Sequence, residues 1–258
     1  MTEPLALAYE ERGSGPALVF IHGFPLDRRM WIGQLAALPK LRRCVAVDLR
    51  GHGLSVLDNP KPTFSMDLFA DDVAATLDGL GADEADICGL SMGGYVAFAF
   101  WRRHRDRVRS LILCDTKSEA DGEEAKAGRE KTAQLVREQG MEALFDQLGP
   151  KLLGSDPTEE TRLLLRDMFL AQPPAVIAAD ALAMRDRPDS TPDLPGIDVP
   201  VLWLHGEEDQ LMPIDGARAT AEKIPGAVFV PIPGGGHMAP MENPKVANDA
   251  LGEFLKKK

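Results

Sequence analysis

The chain has 258 residues, 44% of them hydrophobic, enough to bury one sizeable core. Its 29 Lys and Arg against 40 Asp and Glu leave a formal charge of −11, a surface that repels nucleic acid and anionic membrane rather than binding them. No apolar run approaches the roughly 18 residues of a membrane span, and the first residues carry acids where a secretory leader carries bases, so small-molecule chemistry in the cytoplasm is the expectation.

In chain order, "LALAYEE" alternates weakly and is followed by Gly13 and Gly15, which predicts an antiparallel lead-in hairpin. Short apolar runs then recur: "PALVFIHG", "RCVAVDLRGHG", "ADICGLS", "RSLILCDT", "PVLWLHGEED" and "AVFVPIPGGGH". Continuous Val/Ile/Leu runs of this length are strands buried on both faces, so the pattern predicts a mostly parallel sheet covered by helices. Cys44, Cys88 and Cys114 sit in or beside these runs, the setting of small core residues rather than of a disulfide frame or a metal site.

From about Ser118 to Pro195 the strands stop and helical patterns follow one another: "EEAKAGREKTAQLVREQ", "MEALFDQLGPKLL", "PTEETRLLLRDMFLAQ" and "PAVIAADALAMRD". Asp156, Pro157 and Glu159 read as an N-cap, a first-turn proline and an acidic first turn. The division expected is an α/β core over residues 1–117 and 196–258, with a helical cap inserted at 118–195.

The chemistry gathers at strand ends. Gly89-Leu90-Ser91-Met92-Gly93 fits G-x-S-x-G, after the strand "ADIC" and before the helix "GGYVAFAFWRRH". A sharp turn there strains the serine backbone, needs neighbours without side chains, and thrusts the hydroxyl out of the sheet's end above a helix N-terminus. Serine needs a base, itself held by an acid. His237, in "GGGHMAP", follows the last strand, and Asp209, in "HGEEDQLMP", follows the one before it. "FIHGFP" brings the Phe24 N–H to the same end of the sheet, so the main-chain amides of Phe24 and Met92 are candidate oxyanion donors. The other histidines read as structural: His22 belongs to the "HG" turn, His52 reads as a loop-stabilising residue, His104 as a solvated helix residue, and His205 as one that packs under the acid loop.

With "HGFPLDRRMW", "VDLRGHGLS", "GLSMGG", "GEEDQLMP" and "GGGHMAPMENP" in this order, the sequence resembles the α/β-hydrolase superfamily over nearly its whole length. Within it the chain is similar to small bacterial esterases, 3-oxoadipate enol-lactonases and cofactor-free haloperoxidases or perhydrolases. The resemblance implies an eight-stranded, mainly parallel sheet with a cap between the sixth and seventh strands. Some members carry their acid after an earlier strand, which makes Asp115 a second candidate beside Asp209. The function expected is hydrolysis of a carboxylic ester or lactone through an acyl-enzyme on Ser91, with His237 as base, Asp209 as acid, and no metal or organic cofactor. The alternatives are perhydrolase or haloperoxidase-like activity at the same residues, or a receptor that signals by moving its lid.

Overall fold

A computed structural model describes residues 3–257. Seven strands form one sheet: β1 (Tyr9–Arg12), β2 (Ala17–Ile21), β3 (Arg43–Val47), β4 (Ala85–Leu90), β5 (Val108–Cys114), β6 (Val201–Gly206) and β7 (Val228–Ile232). Their order is β1-β3-β2-β4-β5-β6-β7, with β1 antiparallel to β3 and every other pairing parallel. The helices are α1 (Ile32–Ala37), α2 (Met66–Leu80), α3 (Met92–Arg103), α4 (Glu123–Leu148), α5 (Glu159–Leu170), α6 (Pro174–Arg185), α7 (Ile214–Ala221), α8 (Ala239–Glu242) and α9 (Pro244–Lys256). None of the described helices is long and apolar enough to cross a membrane.

The six apolar runs are the six strands β2 to β7, and β2, β4 and β6 are buried along their whole length, as strands covered on both faces must be. Two expectations change at the N-terminal edge. The sheet has seven strands among the described residues rather than eight, and the opening segment forms no hairpin with β2. Backbone N–H groups of Leu5, Leu7 and Ala8 donate instead to Asp72 Oδ1, Thr76 Oγ1 and Ser55 Oγ, so side chains of α2 and of the loop after β3 satisfy what a strand ladder would have. The polar strand "YEER" then lies outside β3, at an edge of the sheet, where a largely exposed strand fits.

The chain between β5 and β6 forms α4, α5 and α6, and it follows the fifth strand of seven. α4 is two helical stretches broken at Gly140, whose φ of +79° is left-handed and suits glycine. The N-cap of α5 is Thr158, whose hydroxyl accepts from the Thr161 N–H at 3.2 Å; Asp156 lies two residues too early for that bond. α4 packs chiefly on α6, and α6 meets the core through Val176, which closes on Gly51 of the loop after β3.

All three cysteines are free and fully buried. Burial pushes the Cys44 thiol up to about 12 and holds Cys114 well above its ordinary value, so neither forms thiolate at neutral pH. The native protein is therefore expected to resist iodoacetamide and to take up label at all three positions once unfolded, which intact-mass measurement reads directly. Uptake by the native fold would contradict this packing.

Candidate active site

Topology puts the site where it is. From β2 the chain goes to β3 on one side and then crosses back to β4 on the other, so the loops leaving the C-terminal ends of β2 and β4 diverge and leave a crevice. The turn after β4 carries Ser91 and the turn after β2 carries His22, Gly23 and Phe24.

Ser91 takes φ +53° and ψ −111°, an uncommon conformation for any residue but glycine. Its surroundings hold it there. A Cβ on Gly89 would lie 2.1 Å from the Gly93 carbonyl oxygen, and one on Gly93 would lie 2.3 Å from that of Ile21, so this turn closes against β2 only with glycine at both positions. The Ser91 N–H donates to the Cys114 carbonyl at 2.9 Å, and Thr116 Oγ1 donates to the Ser91 carbonyl at 2.8 Å.

The side chains named from the sequence meet at this turn. His237 Nε2 lies 2.8 Å from Ser91 Oγ, and His237 Nδ1 lies 2.8 Å from Asp209 Oδ2. A carboxylate only accepts, so Nδ1 carries the proton and Nε2 offers its lone pair to the serine hydroxyl. Asp209 Oδ1 accepts from the N–H groups of Leu211 and Met212 at 2.8 and 3.0 Å. Burial alone would raise the Asp209 pKa, but His237 and these amides outweigh it and hold the carboxyl below its usual range. An imidazole so held can take the serine proton and be stabilised as it charges.

The two candidate amides flank Ser91. Met92 is the first residue of α3, so its N–H has no acceptor within the helix, and Gly23 packs against Leu90 and Ser91, bringing the Phe24 turn beside the hydroxyl. Both side chains are buried.

Asp115 does not contact His237. It follows β5 at φ +44°, and its Oδ1 accepts from the Gly206 N–H at 2.7 Å. Complete burial first, and the nearby Asp209 second, push its pKa well above the usual carboxylate range and favour its neutral form. His205 donates from Nε2 to the Met212 carbonyl at 2.6 Å and stays uncharged because burial lowers its pKa. His22 donates from Nδ1 to the Gly23 carbonyl and accepts the Leu49 N–H at Nε2, both at 3.0 Å. His104 differs from its reading as a solvated residue: it is half-buried, and its Nε2 pairs with Asp71 at 2.9 Å.

Two residues here escaped the sequence. Glu242 accepts from the N–H groups of Gly154 and Gly236 at 2.7 and 2.8 Å, tying the helical insert to the loop of His237. Asp180 is buried in α6 with His52 as its partner. A lone acid inside the apolar run "PAVIAADALAM" is the signal that could have found it.

A sheet with this crossover, a strained serine turn after β4 and a buried row of serine, histidine and aspartate define a class, and the chain belongs to it: the alpha/beta hydrolase fold family, whose model matches residues 16–244. Among solved structures it is similar to a thermophilic esterase from Thermogutta terrifontis, solved with malate bound, with 41% identity, a TM-score of 0.92, and coverage of 97% of this chain and 93% of that one. It is also similar to the enol-lactonase from Burkholderia xenovorans LB400, with 30% identity, a TM-score of 0.87, and coverage of 97% and 96%. The bifunctional esterase/perhydrolase DCH of Acinetobacter calcoaceticus is 31% identical over 259 residues, 93% of this chain and 92% of its own length. The family and these relatives mark the chain as a hydrolase.

Proposed function

We propose that the protein hydrolyses carboxylic esters or lactones through an acyl-enzyme on Ser91. The observation that carries this reading is the row of 2.8 Å contacts from Ser91 through His237 to Asp209 at the strained turn after β4. Ser91 Oγ attacks the carbonyl carbon as His237 Nε2 takes its proton; the oxyanion accepts from the Phe24 and Met92 N–H groups; the protonated His237 then gives its proton to the leaving alkoxide. Water, deprotonated by the same imidazole, releases the acid. For a lactone the leaving alkoxide stays attached to the acyl chain. The α3 N-terminus favours the developing negative charge.

Residues 118–195 act as a cap over the core of 1–117 and 196–258: Leu152 accepts the Met238 N–H at 3.1 Å, so the insert is seated on the loop that holds His237. A panel of p-nitrophenyl esters of rising acyl length, with several lactones, tests the reading. Many turnovers per site support it, and a stall after a few equivalents supports a receptor. The relationship to an esterase/perhydrolase favours one further reaction, in which hydrogen peroxide replaces water at the acyl-enzyme and yields a peracid; product analysis with peroxide present separates the two.

The pH profile follows from the site. Only neutral imidazole accepts the Ser91 proton, so kcat/KM is expected to fall on the acid side of its profile. Asp209, with its pKa held below the usual carboxylate range, keeps its charge until the pH falls below that range, where the hold on His237 is lost as well. His237→Ala is expected to abolish the activity; an unchanged profile in that variant would point to another base.

A further inference from the structure

Asp180 is fully buried, and both its carboxylate oxygens lack an aligned hydrogen-bond donor among the described residues. Its close partner is His52, equally buried, with Nε2 to Oδ2 at 2.9 Å, a contact that lies off the axis of a straight N–H···O bond. His52 belongs to the loop after β3, and its Nδ1 donates to the Arg50 carbonyl at 3.2 Å. Nδ1 spends its hydrogen on Arg50, so Nε2 is the ring atom left to face the Asp180 carboxyl, 2.9 Å away. Burial alone would lower the His52 pKa, and Asp180 reverses this and raises it. An acid without its partner at such depth is costly, so α6 is seated only where His52 meets it.

The contact continues inward. The His52 ring packs against the ring of His22 with centroids 4.8 Å apart, and His22 Nδ1–H holds the Gly23 carbonyl. That carbonyl, which also accepts the Leu26 N–H at 3.0 Å, and the Phe24 N–H are the two ends of one planar peptide, so His22 and Leu26 together set how the N–H is turned. Val176 of α6 closes on Gly51, beside His52, where an added Cβ would meet it at 2.8 Å.

We propose that Asp180 and His52 are positioning residues for the hydrolysis: through His22 they make the aim of the Phe24 N–H at the oxyanion depend on α6 of the insert being seated on the core. The proposal rests on the reading of Phe24 as an oxyanion donor. It gives the insert a part in stabilising the transition state, beyond walling the pocket.

The test is Asp180→Asn, which keeps the shape and removes the carboxyl group, with kcat and KM for p-nitrophenyl acetate expressed per site titrated with a serine-directed phosphonate. The second readout is inhibition by an aryl trifluoromethyl ketone, whose tetrahedral adduct on Ser91 needs the same donors. kcat is expected to fall about tenfold, short of the ~10²–10³ lost when a donor is removed outright, with KM within about twofold and the ketone Ki raised by about the same factor as kcat falls. His52→Gln reads the contact from its other side and serves if Asp180→Asn does not accumulate folded, and the double variant is expected to be no slower than the slower single. Variants that melt earlier while kcat and the ketone Ki stay at wild-type values would overturn the relay and leave only a structural pair. A wild type with neither turnover nor ketone inhibition would instead overturn the hydrolase reading, so the two failures are distinct.

Discussion

Ser91→Ala is expected to lower kcat on an activated ester by a factor on the order of 10⁶, leaving what oxyanion stabilisation and binding supply alone. The fold should survive. Alanine keeps the Cβ, so the backbone strain at φ +53° is unaltered, and the two hydrogen bonds that fix the turn, to the Cys114 carbonyl and from Thr116 Oγ1, involve only main-chain atoms of residue 91. Among the described residues the hydroxyl itself bonds to His237 and to no structural group. Initial rates on p-nitrophenyl acetate beside a far-UV circular dichroism melt read both parts. Rates near wild type would show that the hydroxyl takes no part.

Asp209→Asn is expected to cost up to about 10⁴ in kcat with little change in KM. The Leu211 and Met212 N–H groups donate to Asp209 Oδ1, so in the variant they keep the amide oxygen there and leave the amide nitrogen facing His237 Nδ1. A donor at that place drives the imidazole proton to Nε2, where it points at Ser91 and the base is lost. Asp115→Asn should cost less than about tenfold. Burial and the nearby Asp209 already favour the neutral form of Asp115, its Oδ1 accepts from the Gly206 N–H as an amide oxygen would, and asparagine tolerates its positive φ better than most residues. The two variants are compared on one short ester. Should Asp115→Asn be the crippled one, the acid lies after β5.

Much of this was legible because strands buried on both faces write themselves as apolar runs and because tight turns demand glycine. β2 to β7 were visible as runs, and the turn after β4 was visible as Gly89 and Gly93 around Ser91. The histidine and aspartate followed from their places after β7 and β6. The N-terminal edge was not legible, since the side chains that satisfy Leu5, Leu7 and Ala8 come from Asp72, Thr76 and Ser55, tens of residues away. Pairing of the polar β1 with β3 rather than β2 is likewise a choice made by burial across the sheet. Long-range polar pairs were invisible for the same reason: Asp180 and His52 are 128 positions apart (180 − 52), and no local pattern links an acid in a cap helix to a loop histidine. His104 looked solvated among arginines because its partner, Asp71, lies on a different helix.

The most direct measurement of the central claim is labelling of the intact protein with a fluorophosphonate, followed by peptide mass spectrometry. One equivalent on Ser91, acquired at a rate that falls sharply in His237→Ala and in Asp209→Asn but stays close to wild type in Asp115→Asn, is the result expected of a serine activated by that histidine and that aspartate. Label on another residue, or a Ser91 rate indifferent to His237, would contradict it.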